Sequence, residues 1–217
     1  ANTSYYVNST QPALLFTYSA NSGASIADPK PLLPASNDII GFPSNSAQIT
    51  VDTDGTNFTG YISDGNTRVE TGNKNSTTQH NGTGPSTSSL YQGYSTRYIS
   101  SGGKIVANSL ADSNGLCSAP FLPVSMMKKR YAINVNTDYV AFASTKPAVI
   151  NVTTPTGTTS SITLSRSGNG KSPYYARLTN MPEGTVFESS KRFAAWYHPN
   201  TDNFAAAKDE TILFGFD

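Results

Sequence analysis

Apolar and polar residues alternate along most of the chain after residue 138. A period of two residues is typical of β-strands that bury one face. Short segments rich in Gly, Pro, Asn and Thr separate the alternating runs, and these residues favour tight turns. Seven short strands at this spacing predict an antiparallel β-sandwich, either a jelly roll or an immunoglobulin-like fold. The side chains predicted to face its core are Val140, Phe142, Ala148, Ile150, Val152, Ile162, Leu164, Ile212, Phe214 and Phe216.

The chain before this sandwich has a less regular pattern. Residues 13–18 form one predicted strand, and residues 47–51 and 57–62 are predicted to form a hairpin across an Asp-Gly turn. Residues 19–42 contain three prolines and are expected to form an extended loop, pinned to the core by a Leu-Leu and an Ile-Ile pair. Residues 66–89 have almost no apolar side chains, so we expect a mobile surface loop or a linker there.

These patterns together predict an all-β protein. Helical character is limited to one turn within residues 124–129, and no amphipathic helix of useful length occurs. We expect a strand- and loop-rich N-terminal part, residues 1–97, that serves in attachment or assembly. The β-sandwich domain is expected to follow as residues 98–217. A chain of 217 residues is long enough for one moderate β-domain or two small ones.

The charge of the chain argues against some classes of partner. There are 15 Lys and Arg residues against 14 Asp and Glu, so the formal net charge is +1. Such a balance gives no field to gather nucleic acid or an anionic membrane, and neither is expected as a partner. No apolar run approaches the roughly 20 residues of a spanning helix, so membrane insertion is not expected. Only 13% of the residues are charged, and a surface of hydroxyls and amides is common in extracellular and viral β-proteins.

Residues that commonly carry out catalysis or bind metals are few. His80 and His198 are the only histidines and Cys117 is the only cysteine, which gives neither a zinc ligand pair nor a recognisable catalytic triad. The lone cysteine cannot form an internal disulfide and is expected to be buried. We therefore expect no catalytic residue, no cofactor and no enzyme activity. Residues 52–57 leave two alternatives open, because oxygen-bearing side chains alternate around a glycine: a calcium loop or a plain Asp-Gly turn.

Aromatic residues are the best candidates for contacts with a ligand or a partner. Trp196, the only tryptophan, and Tyr197 lie close in sequence to Asn200 and Asp202. Exposed aromatic side chains stack on sugar rings and anchor protein interfaces, and this would make the four residues a sugar platform or an interface. The competing interpretation is that the aromatic side chains face the core, as alternate residues of a strand do.

The second half of the chain carries four distinctive phrases: GGKIVANSLADSNG, APFLPVSMMKKRYAI, DYVAFASTKPAVINVTTPTG and RFAAWYHPNTDNFAAAKDETILFGFD. Together they resemble a block in virion structural proteins of tailed phages of marine cyanobacteria, over about residues 98–217. The resemblance implies a particle component, such as a fibre or a surface decoration subunit, located in an extracellular virion. It implies other copies of the chain and other virion proteins as partners, and it carries over no catalytic residue.

Two hypotheses about function follow. In the first, the chain is a homo-oligomeric structural subunit whose N-terminal strand and proline-rich arm contact neighbouring subunits. Its sandwich then faces outward, where a host-surface glycan is a further candidate partner. In the second, the chain is a secreted or cell-surface bacterial adhesin or carbohydrate-binding module that uses the platform around Trp196. β-Sandwiches suit a virion because they repeat symmetrically and bury their edges against neighbours.

Overall fold

A computed structural model describes residues 9–11, 16–19, 28–42, 46–51, 53, 55–72, 77–81, 94–110, 119–168, 170–200 and 211–217. Within these residues the chain consists of antiparallel strands, with one short 3-10 turn at Val124–Met126 inside the predicted helical turn. The all-β prediction is therefore confirmed. The strands are β1 (Phe16–Ser19), β2 (Asp28–Pro31), β3 (Asp38–Gly41), β4 (Ser46–Val51), β5 (Thr56–Ile62), β6 (Thr67–Gly72), β7 (Thr77–Asn81), β8 (Thr96–Ser100), β9 (Ile105–Leu110), β10 (Leu122–Pro123), β11 (Lys128–Ala132), β12 (Thr137–Ser144), β13 (Val149–Thr153), β14 (Thr159–Thr163), β15 (Tyr174–Met181), β16 (Val186–Pro199) and β17 (Thr211–Ile212).

The described strands form four sheets. β1 and β2 make a two-stranded sheet, and β7, β4 and β9 make a three-stranded sheet in that order. The five-stranded sheet has the order β10-β3-β8-β5-β6. The strands from β11 to β17 make one curled sheet in which β16 is central, because it pairs with β11, β12, β13 and β17. This curled sheet agrees with the predicted antiparallel sandwich.

β16 is long enough to serve both layers of the curled sheet. Residues 186–188 lie between β13 and β11, whereas the later residues of β16 pair with β12 and β17. The register with β11 shifts between these two parts, because Lys128 pairs with Phe193 but Arg130 pairs with Glu188. Such an irregularity bends a strand and increases its twist. The bend lets the two halves of the sheet face each other across a core.

The core between these halves is formed largely by the residues that the alternating pattern predicts. Phe142 lies at its centre, with edge-on contacts to Phe187 at 5.0 Å and to Phe193 at 6.0 Å between ring centroids. The predicted inward positions on β12, β13 and after β14 are thus confirmed, and Ile162 is half-buried. The buried side chains of this core are Tyr131, Ile133, Val140, Phe142, Ala148, Ile150, Val152, Leu164, Phe187, Phe193, Ala195 and Leu213.

A second core joins the outer face of β12 and β16 to the five-stranded sheet. Ala141 and Ala143 of β12 and Ala194 of β16 face this core, and small side chains let packed sheets approach closely. β12 is therefore buried on both faces, although alternation predicts one buried face. The other buried members are Leu33, Ile40, Phe42, Ala119, Leu122, Met127, Tyr139, Trp196 and Ile212.

A third core lies between the five-stranded and three-stranded sheets. Ile49 of β4 and Phe58 of β5 are both buried in it. The two strands are predicted correctly, but the predicted hairpin between them is wrong: β4 pairs with β7 and β9, while β5 pairs with β6 and β8. The chain passes from one sheet to the other between Val51 and Thr56, because this lets both apolar side chains enter a common core.

Two segments expected to be loops contain strands. Residues 19–42 include β2 and β3, and residues 66–89 include β6 and β7, so the loop predictions are wrong at these strands. β2 tolerates its prolines because it lies at a sheet edge, where a missing N–H removes no obligatory ladder bond. β6 and β7 form although Val69, which is exposed, is their only large apolar residue, because their backbone groups pair with strands that are anchored in a core. Ile39 and Ile40 are buried and anchor β3 in the core, as the sequence predicts for this Ile-Ile pair.

Several boundaries differ from those predicted. The boundary between residues 97 and 98 falls within β8, and the later strands β9 and β10 pair with β4 and β3. Residues 186–199 form one long strand, which extends through His198 and Pro199. The long strand persists because its bend shifts the ladder to new partners without ending it.

Candidate interaction surface

Trp196 lies in the second core and not on a surface. Its side chain has 0% exposure, its Nε1–H donates a hydrogen bond of 2.9 Å to the carbonyl of Pro120, and its ring meets Phe42 edge-on at 5.3 Å. Because the indole is buried and its N–H is already hydrogen-bonded, it cannot stack on a sugar ring at the protein surface. The core interpretation of Trp196 is therefore the correct one, and the expectation of an exposed ligand contact at this residue is wrong.

The other residues of the predicted platform do not gather around Trp196. Tyr197 points to the opposite face of β16, where it packs half-buried against the core of the curled sheet, and this burial raises the pKa of its phenol. Asn200 is exposed, and its backbone N–H donates to the carbonyl of Asn136 at 2.7 Å. Asp202 lies outside the described residues. Because successive strand residues face opposite ways, Trp196 and Tyr197 cannot form one platform.

His198 is a packed residue beside the second core. It is 8% exposed, its ring stacks on Tyr139 at 4.7 Å, and its Nδ1 lies 3.4 Å from the carboxylate of Asp138 without forming a hydrogen bond. Within the described part of the chain, no group of three or more His, Cys, Asp or Glu side chains could hold a metal ion. Asp52 and Asp54 of the candidate calcium loop lie outside that part, as does Cys117, and those predictions remain open.

Pairing of β11 with β16 brings two basic runs side by side. Lys128, Lys129 and Arg130 occupy β11, and Lys191 and Arg192 precede the residue of β16 that pairs with Lys128. Lys146 lies close by, because the Ser144 hydroxyl donates to the Arg192 carbonyl at 2.8 Å and accepts from the Lys146 N–H at 3.2 Å. We call the six cations Lys128, Lys129, Arg130, Lys146, Lys191 and Arg192 the basic edge.

Two carboxylates pair with the basic edge among the described residues. Glu188 lies 3.0 Å from Arg130, and Asp217 lies 3.0 Å from Lys128 and 3.4 Å from Arg192. The hydrogen bond from Lys128 holds the pKa of the Asp217 carboxyl below its ordinary value. The edge therefore gathers six of the chain's 15 cations against two acids, in a chain whose net charge is only +1.

Two phenylalanines beside the basic edge are exposed, although the sequence pattern predicts that they are buried. Phe214 is 61% exposed and Phe216 is 46% exposed, and the Arg130 guanidinium lies 5.2 Å from the centroid of the Phe216 ring. Gly215 between them lies against the ring of Tyr131, where an added Cβ would approach within 2.5 Å. Since the inward position after Leu213 has room only for glycine, both phenylalanines turn outward.

A row of exposed side chains crosses the same face of the curled sheet. The register places Ser161 beside Asn151, Asn151 beside Glu188, Glu188 beside Arg130, and Arg130 beside Phe216. All five side chains are exposed. We call Ser161, Asn151, Glu188, Arg130 and Phe216 the outer row.

The sequence predicts neither the basic edge nor the outer row. The run KKR at residues 128–130 and the pair KR at residues 191–192 are visible in the sequence, but their juxtaposition depends on a strand pairing that the sequence does not specify. β11 itself is not predicted from the sequence. Tyr131 is its one buried residue, and a single buried residue gives no alternating pattern.

No protein-family model, curated protein or solved structure significantly matches this chain. Among the helical elements of the described residues, none has the length and apolar character needed to cross a membrane.

Proposed function

We propose that the chain is a structural subunit of a tailed-phage virion, forming a fibre, surface or decoration element through contacts with other copies of itself and with other virion proteins. The resemblance of residues 98–217 to such proteins supports this proposal, and so does the all-β architecture. Three apolar cores hold the three larger sheets together, and this suits a protein that persists in an extracellular particle. The role requires neither catalysis nor a cofactor.

The observation that carries the proposal is the separate sheet of β1 and β2. Among the described strands these two pair only with each other, over Phe16–Ser19 and Asp28–Pro31. A two-stranded hairpin is at best marginally stable on its own in water. Since no other described strand pairs with its edges, either edge can extend a sheet of a neighbouring subunit, which is a common mode of strand addition.

The sequence places the assembly arm within residues 1–42, and the structure makes this arm shorter. Leu33, Ile40 and Phe42 are buried in the second core, and β3 is an inner strand of the five-stranded sheet. Residues after 31 therefore belong to the folded body. We restrict the proposed assembly arm to residues 1–31, of which the structure describes 9–11, 16–19 and 28–31.

Trimming the arm tests this role. A chain that lacks residues 1–31 should lose the association that we expect of the full chain, as measured by sedimentation velocity, because it loses both strands of the separate sheet. A chain that lacks residues 1–11 retains β1 and β2 and is the matched control, which should associate as the full chain does. Equal sedimentation of all three proteins would contradict the arm's role. Thermal unfolding should be similar in all three, since the core residues that the structure describes all lie after residue 31.

The alternative of a carbohydrate-binding module centred on Trp196 finds no support in the geometry. The Trp196 side chain is buried, so Trp196→Ala would remove a core residue and would report on folding in place of sugar binding. Any test of glycan recognition therefore belongs to another surface of the molecule.

A further inference from the structure

The outer row gives the curled sheet a continuous exposed track. Neighbouring strands lie about 4.8 Å apart, so five positions in register span roughly 19 Å. The track crosses β14, β13, β16 and β11 and ends at Phe216. A linear polymer can lie along such a track and contact every strand.

One end of the track is neutral and rich in hydrogen-bonding groups. Ser161 is flanked on β14 by Thr159 and Thr163, and all three side chains are exposed, as is Asn151 on β13. Hydroxyl and amide groups both donate and accept hydrogen bonds, which matches the hydroxyls of a sugar ring. Val149 beside them is 50% exposed and adds an apolar contact.

The other end of the track is cationic and aromatic. Arg130 belongs to both the outer row and the basic edge, and it lies over the ring of Phe216. Its ion pair with Glu188 is about half exposed on both sides, at 48% and 49%. Exposed ion pairs are weak, so the guanidinium can exchange Glu188 for an anionic group of a ligand.

We propose that the outer row and the basic edge together bind an anionic polysaccharide. Its sugar hydroxyls bond to Ser161 and Asn151, and one ring packs against Phe216. Its carboxylate or sulfate groups pair with Arg130 and with the neighbouring Lys129 and Lys191. Arg presents a planar set of donors that suits both carboxylate and sulfate.

A nucleic acid fits this face less well. Protein surfaces that bind nucleic acid are usually much more positively charged than this one, and a duplex carries one negative charge per about 1.7 Å. Here Glu188 stands in the middle of the track, and the β14 end carries no charge among its exposed residues. Sparse negative charge on a hydroxyl-rich polymer is the better complement.

This inference goes beyond the proposed assembly role, because the arm before residue 32 takes no part in it. The two can fail separately: association is measured by sedimentation, and glycan recognition by binding. Loss of one property in a variant should leave the other intact.

Isothermal titration of the full chain with defined polymers tests the inference. Polygalacturonate carries carboxylates, dextran sulfate carries sulfates, and neutral dextran and a single-stranded DNA oligonucleotide are the comparisons. We expect binding to one or both anionic polysaccharides that weakens as salt rises, since the screening length falls from about 10 Å at 0.1 M to about 3 Å at 1 M. Neutral dextran should bind at least about tenfold more weakly, for lack of the charge contacts.

Single substitutions locate the site on this face. Lys129→Gln and Arg130→Gln should each weaken binding about fivefold, the effect of one close charge contact near a wet surface. Glu188→Gln should strengthen binding, because it removes a negative charge from the track and keeps a hydrogen-bonding group. Lys104→Gln, an exposed lysine in the N-terminal half, is the matched control and should leave binding unchanged.

A variant that folds poorly would lose affinity, so a gain of affinity in Glu188→Gln cannot arise from impaired folding. This variant therefore tests the inference even if another variant is unstable. The inference is overturned if none of the anionic polysaccharides binds, if DNA binds more tightly than they do, if Glu188→Gln does not strengthen binding, or if Lys104→Gln weakens binding as much as Arg130→Gln does.

Discussion

At the scale of single residues, Tyr131 holds the bend of the curled sheet. Its hydroxyl donates to the carbonyl of Phe193 at 2.5 Å and accepts from the backbone N–H of Lys128 at 3.0 Å. Both partners lie where the register between β11 and β16 shifts, so the side chain replaces ladder bonds that the irregularity removes. Burial raises the pKa of this phenol above its ordinary value of 10.0, and the hydrogen bond from Lys128 opposes the rise.

A buried tyrosine of this kind makes stability depend on alkaline pH. Below its unfolded pKa the phenol is neutral in both states, and its stabilising contribution is complete. Above about pH 10 the unfolded chain gains free energy by ionising this phenol and the folded chain does not, so stability falls by about 1.4 kcal/mol per pH unit for this group. The loss continues until the pH passes the raised folded-state pKa.

Tyr131→Phe isolates this contribution. At neutral pH the variant should be about 1–2 kcal/mol less stable than the parent, because the buried Phe193 carbonyl loses its donor. The difference in stability between the two proteins should narrow above about pH 10, since ionisation of Tyr131 in the unfolded chain lowers the stability of the parent alone. Urea unfolding at a series of pH values measures it, and a difference that stays constant to about pH 11 would refute this account of Tyr131.

The residue scale also explains where candidate-site predictions failed. Alternation predicts a buried Phe216 and leaves Trp196 between a core position and a surface contact, whereas Trp196 is buried and Phe216 is 46% exposed. Trp196 is buried because a second sheet covers the outer face of β16, and Phe216 is exposed because Tyr131 fills the space beside Gly215. Both outcomes depend on neighbours distant in sequence.

At the scale of elements, period-two patterns located most strands of the second half correctly. β12 and β13 contain the inward residues that alternation predicts, and β14 contains Ile162, because one buried face suffices to produce that pattern. The sequence could not reveal that β12 is covered on its other face by Leu33, Ile40 and Phe42. The alternate small residues Ala141 and Ala143 were the available signal, since sheets that pack on both faces need small side chains on one.

The second face of β12 yields a test of that packing. Ala141→Leu places a larger side chain between the curled sheet and the five-stranded sheet, where overpacking typically costs about 1–3 kcal/mol. Ala132→Leu on β11 is the matched control, because Ala132 is exposed and its substitution should change stability by less than about 0.5 kcal/mol. Chemical unfolding of both variants measures the difference. Equal stabilities would mean that the two sheets do not pack at Ala141.

At the scale of the whole molecule, the distribution of charge matters more than its sum. A net charge of +1 predicts no attraction to polyanions, yet strand pairing concentrates the basic edge on one side. Likewise the composition of residues 66–89 predicts a loop, while the complete set of sheets provides backbone partners for β6 and β7. Properties that require the assembled fold, including the outer row, lay beyond prediction from sequence.

The proposal that this chain is a building unit of a larger particle also belongs to the whole molecule. Among the described strands β1 and β2 pair only with each other, and the described core residues all lie after residue 31. A subunit of this kind associates through a contact that repeats from copy to copy.

The mass of the full chain in solution, measured by sedimentation equilibrium across a dilution series, tests this claim most directly. The account predicts a mass that is a multiple of the 23.0 kDa protomer and that falls toward it on dilution if the contact is weak. A mass that stays at 23.0 kDa at every concentration would contradict it.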